Sequence, residues 1–241
     1  MIRRTAIGVA RLFYKPLRVL LPSITSKIST AVGVWGTRRD QLRANHYGSC
    51  LGDEKANFLC SQIGKALHVE GDIIECGVFQ GGSLLMIAEQ CARQCSGKRI
   101  HALDSFEGFD PEEFEMDVKL GFIPSDIGNF RENSLTFVKT KARRLGLHRN
   151  IHFVKGYFND TLSLRLNRVD SLCFAHIDCD LYEPVKFCAE QIFPKMSPGG
   201  ILLFDDLATS YTGARQAFEE FTSTISCKQV TEECGMGMIV V

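Results

Sequence analysis

Apolar positions along the chain fall into two alternating patterns, short continuous runs typical of buried strands and three-four spacings typical of helices. The apolar runs lie at residues 73–74, 100–104, 151–157, 172–178 and 201–204. Helical spacing occurs at residues 52–69, 84–95, 134–147 and 214–221, with a short helix or turn at 161–169 and a further helix opened by Pro184. This alternation predicts a doubly wound α/β domain with a mostly parallel sheet, completed by an antiparallel strand pair at residues 227–231 and 236–241.

A glycine-rich turn joins the first strand to the helix that follows it. Its residues are Glu75-Cys-Gly-Val-Phe-Gln-Gly-Gly-Ser83, and glycines at such a turn let the backbone approach a ligand closely. The spacing differs from Gly-x-Gly-x-x-Gly, and Glu75 lies beside the turn and helix N-terminus that a pyrophosphate would need to itself. A carboxylate is better matched to the amino group and sulfonium of S-adenosylmethionine. The turn therefore favours a methyltransferase over a nicotinamide-dependent oxidoreductase, which is the alternative.

Acidic residues stand at the predicted carboxyl ends of several strands, where ligands bind in sheets of this type. Asp104 ends the second strand and is placed to accept hydrogen bonds from both hydroxyls of a ribose. Asp178 ends the fourth strand, and Asp205 and Asp206 end the fifth. With no lysine or arginine close in sequence, these three carboxylates indicate a hard divalent cation such as Mg²⁺, which would orient and acidify a substrate hydroxyl. Helix caps or turn contacts are the alternative.

Composition narrows the class of protein. The chain has 241 residues, 45% of them apolar, which suffices for one domain with a full core. Its formal net charge is zero, so the sequence gives no electrostatic case for binding nucleic acid. Ten cysteines occur without the close pairs of a metal site and indicate reduced thiols in a cytoplasmic protein. No apolar run reaches membrane-spanning length, and basic residues interrupt the N-terminal apolar stretch, unlike a signal peptide.

Basic residues are concentrated at the N-terminus. Residues 1–45 contain nine lysines and arginines and one acid, Asp40, whereas acids outnumber bases in the remainder. Pro16 and Pro22 interrupt any continuous helix there. We therefore expect residues 1–48 to form a basic helical arm that covers the fold or the site, and residues 49–241 to form the functional domain. Contact of the arm with a membrane surface or with a second copy is the alternative.

A long acidic connection follows the second strand at residues 107–130, with glycines at 108, 121 and 128. Connections of this length in a compact domain are usually binding loops or lids. We expect a lid or binding loop here, with a surface insertion as the alternative.

Five segments of the chain resemble the macrocin O-methyltransferase family, whose best-known members methylate sugar hydroxyls. They are Ile74-Glu-Cys-Gly-Val-Phe-Gln-Gly-Gly-Ser83, Leu103-Asp-Ser-Phe-Glu-Gly108, Val154-Lys-Gly-Tyr-Phe-Asn-Asp-Thr-Leu162, His176-Ile-Asp-Cys-Asp-Leu-Tyr-Glu183 and Phe204-Asp-Asp206. The aspartate-x-aspartate-Leu-Tyr-Glu run is the most specific of them and the glycine turn the least. The resemblance covers residues 50–241 and implies a Rossmann-like class I methyltransferase fold, with a mostly parallel seven-stranded sheet, that uses S-adenosylmethionine and Mg²⁺.

The resemblance also implies roles for individual residues. Near the methionine part of the donor would lie Glu75, Gly77 and Ser83; near its ribose, Asp104; and near its adenine, Phe158 and Asn159. Ser105, next to Asp104, is also predicted to bind the donor. The metal ligands would be Asp178, Asp205 and Asp206, with Asp178 assisting catalysis through the metal.

The general base is not assigned by the resemblance. The distantly similar catechol O-methyltransferases have a catalytic lysine three residues after the first metal aspartate, where this chain has Leu181. Lys186 lies further along the chain, inside a predicted helix. His176 lies two residues before Asp178 and faces the same side of an ideal strand, which makes it a weak candidate.

These observations together predict an O-methyltransferase that acts on a hydroxyl of a small molecule. The favoured acceptor is a sugar of a glycosylated natural product or an oligosaccharide. A phenolic or catechol-type acceptor is the alternative, as is a non-catalytic donor-binding module docked by its basic arm. The family also implies a homo-oligomer. Asp180 and Tyr182 are expected to cap the helix that contains Pro184 and to pack against it.

Overall fold

The computed structural model describes residues 46–126, 128, 130–226 and 229–241. Within them the chain folds into one seven-stranded sheet with helices on both faces, which confirms the predicted fold class. Of the basic arm predicted for residues 1–48, residues 1–45 lie outside the described residues, and the predicted membrane or dimer contacts of residues 1–45 lie outside them too.

Strands and helices alternate along the described chain. The strands are β1 (Asp72–Cys76), β2 (Ile100–Asp104), β3 (Ile151–Lys155), β4 (Leu172–Ile177), β5 (Met196–Phe204), β6 (Gln229–Glu233) and β7 (Met236–Val240). The helices are α1 (Asp53–Ala66), α2 (Gly82–Arg93), α3 (Pro111–Leu120), α4 (Leu135–Leu145), α5 (Phe158–Leu166), α6 (Tyr182–Ile192) and α7 (Thr212–Thr224). Short 3-10 turns occupy His46–Gly48 and Phe193–Lys195.

The strand order in the sheet is β3-β2-β1-β4-β5-β7-β6. Strands β1 to β5 are parallel, and β7 runs antiparallel between β5 and β6. The order reverses between β1 and β4, because β2 and β3 are added on one side of β1 and the later strands on the other. Such a switch point opens a crevice at the carboxyl ends of the two strands, which is where ligands bind in doubly wound sheets.

Two hydrophobic cores hold the helices onto the sheet, one on each face. Successive strand residues enter opposite cores, so Ile73 packs with α1, α2 and α4 while Ile74 packs with α5, α6 and α7. Both isoleucines are fully buried, as expected of parallel strands that helices cover on both faces. The crevice is therefore built on the buried centre of the sheet.

The acidic connection at residues 107–130 contains α3, a helix that the sequence pattern did not predict. Asp110 caps α3 by accepting hydrogen bonds from two amides of its first turn. Asp117, buried within α3, accepts a 2.9 Å hydrogen bond from the amide of Tyr182 at the start of α6. Burial raises the pKa of Asp117 to about 6. Much of the connection is thus a helix held by polar contacts, not an open loop.

Thiols contribute to the packing of the two cores. The described cysteines form no disulfide bond, and five of them are buried. Cys76, Cys173 and Cys179 lie in the core as small apolar residues, as predicted. Among the helices of the described residues, none combines the length and apolar character needed to cross a bilayer.

A buried polar network lies near the amino ends of β1 and β2. Nε2 of His101 lies 3.0 Å from Asp72 Oδ2, and Arg165 Nε donates to His101 Nδ1 at 2.8 Å. These contacts fit a neutral imidazole that donates through Nε2 and accepts through Nδ1. Burial, together with the charge of Arg165, lowers the pKa of His101 to about 4 despite the attraction of Asp72.

Acid should therefore destabilise the fold through His101. The imidazole of His101 takes up its proton near pH 6.5 in the unfolded chain and only near pH 4 in the folded chain. The contribution of neutral His101 to folding stability is therefore complete above pH 6.5 and is lost as the pH falls toward 4. The loss should be roughly 2–3 kcal/mol. Urea unfolding of wild type and His101→Gln at about pH 7 and about pH 4.5 measures it. Between these two pH values the glutamine variant should lose roughly 2–3 kcal/mol less stability than wild type, and an equal loss in the two proteins would contradict this assignment.

Candidate active site

A cavity of about 390 Å³ opens at the carboxyl ends of β1, β2, β4 and β5. Its wall includes the glycine turn between β1 and α2, the ends of the other three strands, the segment before α1 and the start of α5. The predicted site residues that line it are Gly77, Ser83, Asp104, Ser105, Phe158, Asp178, Asp205 and Asp206. Of the described residues predicted for the site, Glu75, Asn159 and His176 lie outside its wall.

Gly77 is required by the close approach of two backbone segments. Its φ is +92°, in the range that favours glycine, and a Cβ there would come within 1.8 Å of the carbonyl oxygen of Asp178. The amide of Asp178 in turn donates to the carbonyl oxygen of Cys76 at 2.8 Å. The turn after β1 therefore presses against the end of β4, which brings the predicted donor site next to the predicted metal aspartate.

Asp104 organises the glycine turn from the end of β2. Its Oδ2 accepts hydrogen bonds from Val78 N and Phe79 N, both at 2.8 Å, and its Oδ1 accepts one from Phe106 N at 2.5 Å. This carboxylate thus satisfies three backbone amides and shapes the turn on which a donor would lie. The ribose role of Asp104 stays a prediction, since its oxygens would have to accept ribose hydroxyls beside these amides.

Aromatic rings form one wall of the cavity. The ring of Phe130 packs edge to face against Phe79 and Phe109, with centroid distances of 5.3 Å and 5.2 Å. The hydroxyl of Ser105 donates to the carbonyl oxygen of Gly108 at 2.6 Å, which fixes the chain just before Phe109. An apolar, aromatic wall of this kind can hold a flat heterocycle.

The start of α5 brings the aromatic ring of Phe158 to the cavity and contacts the carboxyl group of Glu113, which also lines the cavity. Phe158 lines the cavity, whereas Asn159 is exposed and donates from Nδ2 to Glu113 Oε1 at 2.9 Å. Glu113 does line the cavity, and burial together with the charge of Asp110 raises its pKa to about 7. Asn159 therefore holds Glu113, a cavity residue that the sequence analysis did not select.

Glu75 and His176 form a fully buried pair. Glu75 Oε1 lies 3.1 Å from His176 Nδ1, and neither side chain is accessible to solvent. The other oxygen of Glu75 and Nε2 of His176 have no hydrogen-bond partner among the described residues. A ring nitrogen of His176 and one oxygen each of Asp178 and Asp205 lie within 4.8 Å of one another. The carboxyl group of Glu75 thus faces His176, which in turn adjoins the strand-end aspartates.

Four aspartates meet at the ends of β4 and β5. One oxygen each of Asp178, Asp180 and Asp206 lies within 4.8 Å of the others, and Asp205 adjoins Asp178. Asp180 and Asp206 have left-handed backbone conformations, with φ of +62° and +65°, and such strain is common at functional sites. Burial and then the charges of the neighbouring aspartates raise the pKa of Asp178 and of Asp180 well above the usual range. The cluster therefore favours a bound cation.

A lysine from α1 reaches this cluster. Lys55 Nζ donates to Asp205 Oδ1 in close contact and lies 3.4 Å from Asp206 Oδ1. Burial acts to lower the pKa of the Lys55 ammonium, but the charges of Asp205, Asp206 and Asp178 outweigh it and raise the pKa overall. No lysine or arginine lies close in sequence to these aspartates, but the fold brings Lys55 to them from 150 residues earlier in the chain.

Asp180 does not cap α6, contrary to the prediction. The N-cap position is Leu181, which makes no side-chain cap in the described structure. The amide of Tyr182 is bound instead by Asp117 of α3, so the carboxylate of Asp180 is left to the acid cluster. Tyr182 packs against Phe122 with ring centroids 5.5 Å apart, as expected of a packing residue.

Comparison with known sequences identifies a family. The macrocin-O-methyltransferase (TylF) family matches residues 50–235, which include most of the cavity wall. The 8-demethyl-8-(2,3-dimethoxy-alpha-L-rhamnosyl)-tetracenomycin-C 4'-O-methyltransferase of Streptomyces olivaceus is 30% identical over 156 residues, which are 62% of this chain and 58% of that protein. The mycinamicin III 3''-O-methyltransferase of Micromonospora griseorubida is 26% identical over 178 residues, 71% of this chain and 68% of that protein. The chain thus matches less than two thirds of the length of the Streptomyces olivaceus protein.

Solved structures share the fold. The O-methyltransferase NovP superposes with a TM-score of 0.70 at 20% identity and covers 91% of this chain and 98% of its own. The calicheamicin methyltransferase CalS11 superposes with a TM-score of 0.61, also at 20% identity, over 89% of this chain and 91% of its own. These likenesses show that the fold is that of class I methyltransferases.

Proposed function

Because the chain belongs to the macrocin O-methyltransferase family, we propose that it transfers a methyl group from S-adenosylmethionine to a hydroxyl of a small molecule. The observation that carries the proposal is that the glycine turn after β1 and the aspartates at the ends of β4 and β5 line one cavity. A donor on the turn and a hydroxyl at the aspartates would lie next to each other, and such proximity lowers the barrier to transfer.

Donor binding would use the glycine turn and the aromatic wall. Ser83 is buried at the start of α2 and lines the cavity, and a helix N-terminus attracts a carboxylate such as that of the methionine part. Phe158 offers a ring for the adenine to stack on. Glu113, whose pKa is raised to about 7, offers a carboxyl group for the edge of the adenine.

The acid cluster fits Mg²⁺ by the chemistry of its donors. Asp178, Asp205 and Asp206 supply carboxylate oxygens, the ligands that Mg²⁺ prefers. The fully buried His176, whose Nε2 lacks a partner among the described residues, lies beside two of them. When bound, the ion would supply positive charge that lowers the pKa of an acceptor hydroxyl. The residues of the chain would then hold the hydroxyl and exclude water.

Asp180 is the residue best placed to take the proton of the acceptor hydroxyl. It lines the cavity, and one of its carboxylate oxygens lies within 4.8 Å of oxygens of Asp178 and Asp206. His176, the weak candidate from the sequence, is fully buried outside the cavity wall. Lys186 also lies outside that wall, paired with a glutamate of α7 at 3.0 Å. We therefore assign proton removal to the carboxylate of Asp180.

The acceptor is proposed to be a sugar hydroxyl of a glycosylated natural product or an oligosaccharide. The relative from Streptomyces olivaceus is named for a rhamnosyl tetracenomycin, and the family is named for macrocin. A sugar with neighbouring hydroxyls can place one oxygen at the aspartates and leave the rest of the molecule outside the cavity.

A methyl-transfer assay over an acceptor panel tests this function. The full chain would be incubated with tritium-labelled S-adenosylmethionine and Mg²⁺ and, separately, with a rhamnosylated polyketide, an oligosaccharide and a catechol. Label in a sugar-bearing acceptor, lost when a chelator is added, is the expected result. Label in the catechol alone would move the acceptor to the phenols. No label in any acceptor, from a protein that binds the donor, would favour a non-catalytic donor-binding module.

Assembly, location and domain boundary stay predictions. A homo-oligomer is proposed by analogy with the family, and a cytoplasmic location is proposed because the cysteines indicate reduced thiols. The boundary after residue 48 and the covering role of the basic arm await a comparison of the full chain with one that lacks the arm.

A further inference from the structure

We propose that Lys55 is an internal competitor for the divalent cation. Its ammonium pairs with Asp205 and Asp206 when no ion is bound, and an incoming ion must displace it. This inference rests on the cation site of the proposed function. It adds to that site a residue from α1 that sets how tightly the ion binds.

The geometry places Lys55 on one carboxylate oxygen of each of two proposed metal ligands. Its Nζ contacts Asp205 Oδ1 and lies 3.4 Å from Asp206 Oδ1. The same oxygen of Asp205 accepts a 2.6 Å hydrogen bond from the amide of Asp206. Asp205 Oδ1 therefore already accepts hydrogen bonds from the ammonium of Lys55 and from the amide of Asp206. This oxygen can bind a cation only if the ammonium leaves.

Burial makes this competition strong. The side chain of Asp205 is 3% exposed and those of Asp206 and Lys55 are 18% and 20% exposed. Solvent and salt screen such a pair much less than they screen a pair on the surface. The positive charge of Lys55 thus both occupies a ligand and repels a second cation at short range.

The ammonium of Lys55 is carried by a flexible side chain at the cavity. Lys55 lies in the first turn of α1 and lines the cavity, and its charge stands at the end of a four-carbon stem with several rotatable bonds. Rotation about these bonds can move the ammonium off the aspartates without moving α1. A displaced ammonium would remain at the cavity wall, in reach of an acceptor oxygen.

A Mn²⁺ titration of the full chain, read from the electron paramagnetic resonance signal of the free ion, tests the proposal. Lys55→Met removes the charge and keeps the length of the side chain, so it should bind Mn²⁺ at least about tenfold more tightly than wild type. Lys55→Arg keeps the charge and should bind no more tightly than wild type. Asp206→Asn, in the wild type and in Lys55→Met, should weaken binding severely, which places the ion in this cluster.

The outcomes separate the two proposals. If Lys55→Met binds Mn²⁺ no more tightly than wild type while Asp206→Asn still weakens binding, Lys55 is not a competitor and the cation site stands. If neither wild type nor Lys55→Met binds Mn²⁺, the cation site fails and the competition with it. Thermal melting of each variant checks the fold. Lys55→Gln replaces Lys55→Met if the methionine variant does not fold.

Discussion

Replacing Asp178 by asparagine should slow methyl transfer by about a thousandfold, or roughly 4 kcal/mol of barrier. The carbonyl of Asp178 touches the glycine turn and its carboxylate lies with Asp180 and Asp206, so the residue links the proposed donor and cation sites. The folded variant should nevertheless be more stable than wild type. Burial and the neighbouring carboxylates raise the pKa of Asp178 well above its usual range, so a neutral amide relieves repulsion. Initial rates and thermal melting measure the two effects.

The matched control for this variant is Asp170→Asn. Asp170 is exposed and precedes the amino end of β4, so the substitution makes the same charge change at the far end of the same strand. Its rate should stay within about twofold of wild type, as for most surface substitutions. An Asp178→Asn enzyme that keeps more than a tenth of the activity, or loses it only together with the fold, would contradict the assignment.

Replacing Gly77 by alanine should abolish donor binding and cost about 3 kcal/mol or more of stability. The added methyl group would lie 1.8 Å from the carbonyl oxygen of Asp178, so the backbone of the turn or of the β4 end must move. A φ of +92° is also unfavourable for alanine. Urea unfolding gives the loss of stability, and calorimetric titration with S-adenosylmethionine gives the loss of binding.

Gly121→Ala is the control that shows how much of the Gly77→Ala effect comes from backbone strain alone, without a steric clash. Gly121 has a φ of +74°, and a Cβ there would meet no atom of the described structure within 4 Å. This variant should lose only about 1 kcal/mol and keep its affinity for the donor. If Gly77→Ala is as stable as Gly121→Ala and binds the donor normally, the close approach of Gly77 to β4 does not exist in solution.

The fold and the positions of the strand-end aspartates could be predicted from the sequence, because both follow from local patterns of apolar and polar residues. Adjacent residues such as Ile73 and Ile74 enter opposite cores, so each buried strand appears in the sequence as a continuous apolar run. Parallel strands end at the same edge of a sheet. Asp178, Asp205 and Asp206 are therefore expected at one edge once the strands are identified, and all three line the cavity.

Other parts of the site could not be predicted, because no local sequence pattern marks them. Lys55 reaches Asp205 through the packing of α1 and across 150 residues of chain, which periodicity cannot reveal. The pattern also misses α3, because its one buried residue is Asp117 and it has no apolar stripe. Asp180 could have been selected from the aspartate-x-aspartate spacing. Its left-handed backbone, with φ of +62°, keeps it in the acid cluster and away from a cap.

Binding of S-adenosylmethionine to the cavity tests the proposed function most directly. Calorimetric titration of the full chain with S-adenosylmethionine, in Mg²⁺ and in a chelator, would be run on wild type and on Asp178→Asn. We expect saturable binding to wild type, retained in the chelator, because the glycine turn and the aromatic wall do not require the ion. A folded protein that shows no saturable binding of S-adenosylmethionine in either condition would contradict the proposal that this cavity holds a methyl donor.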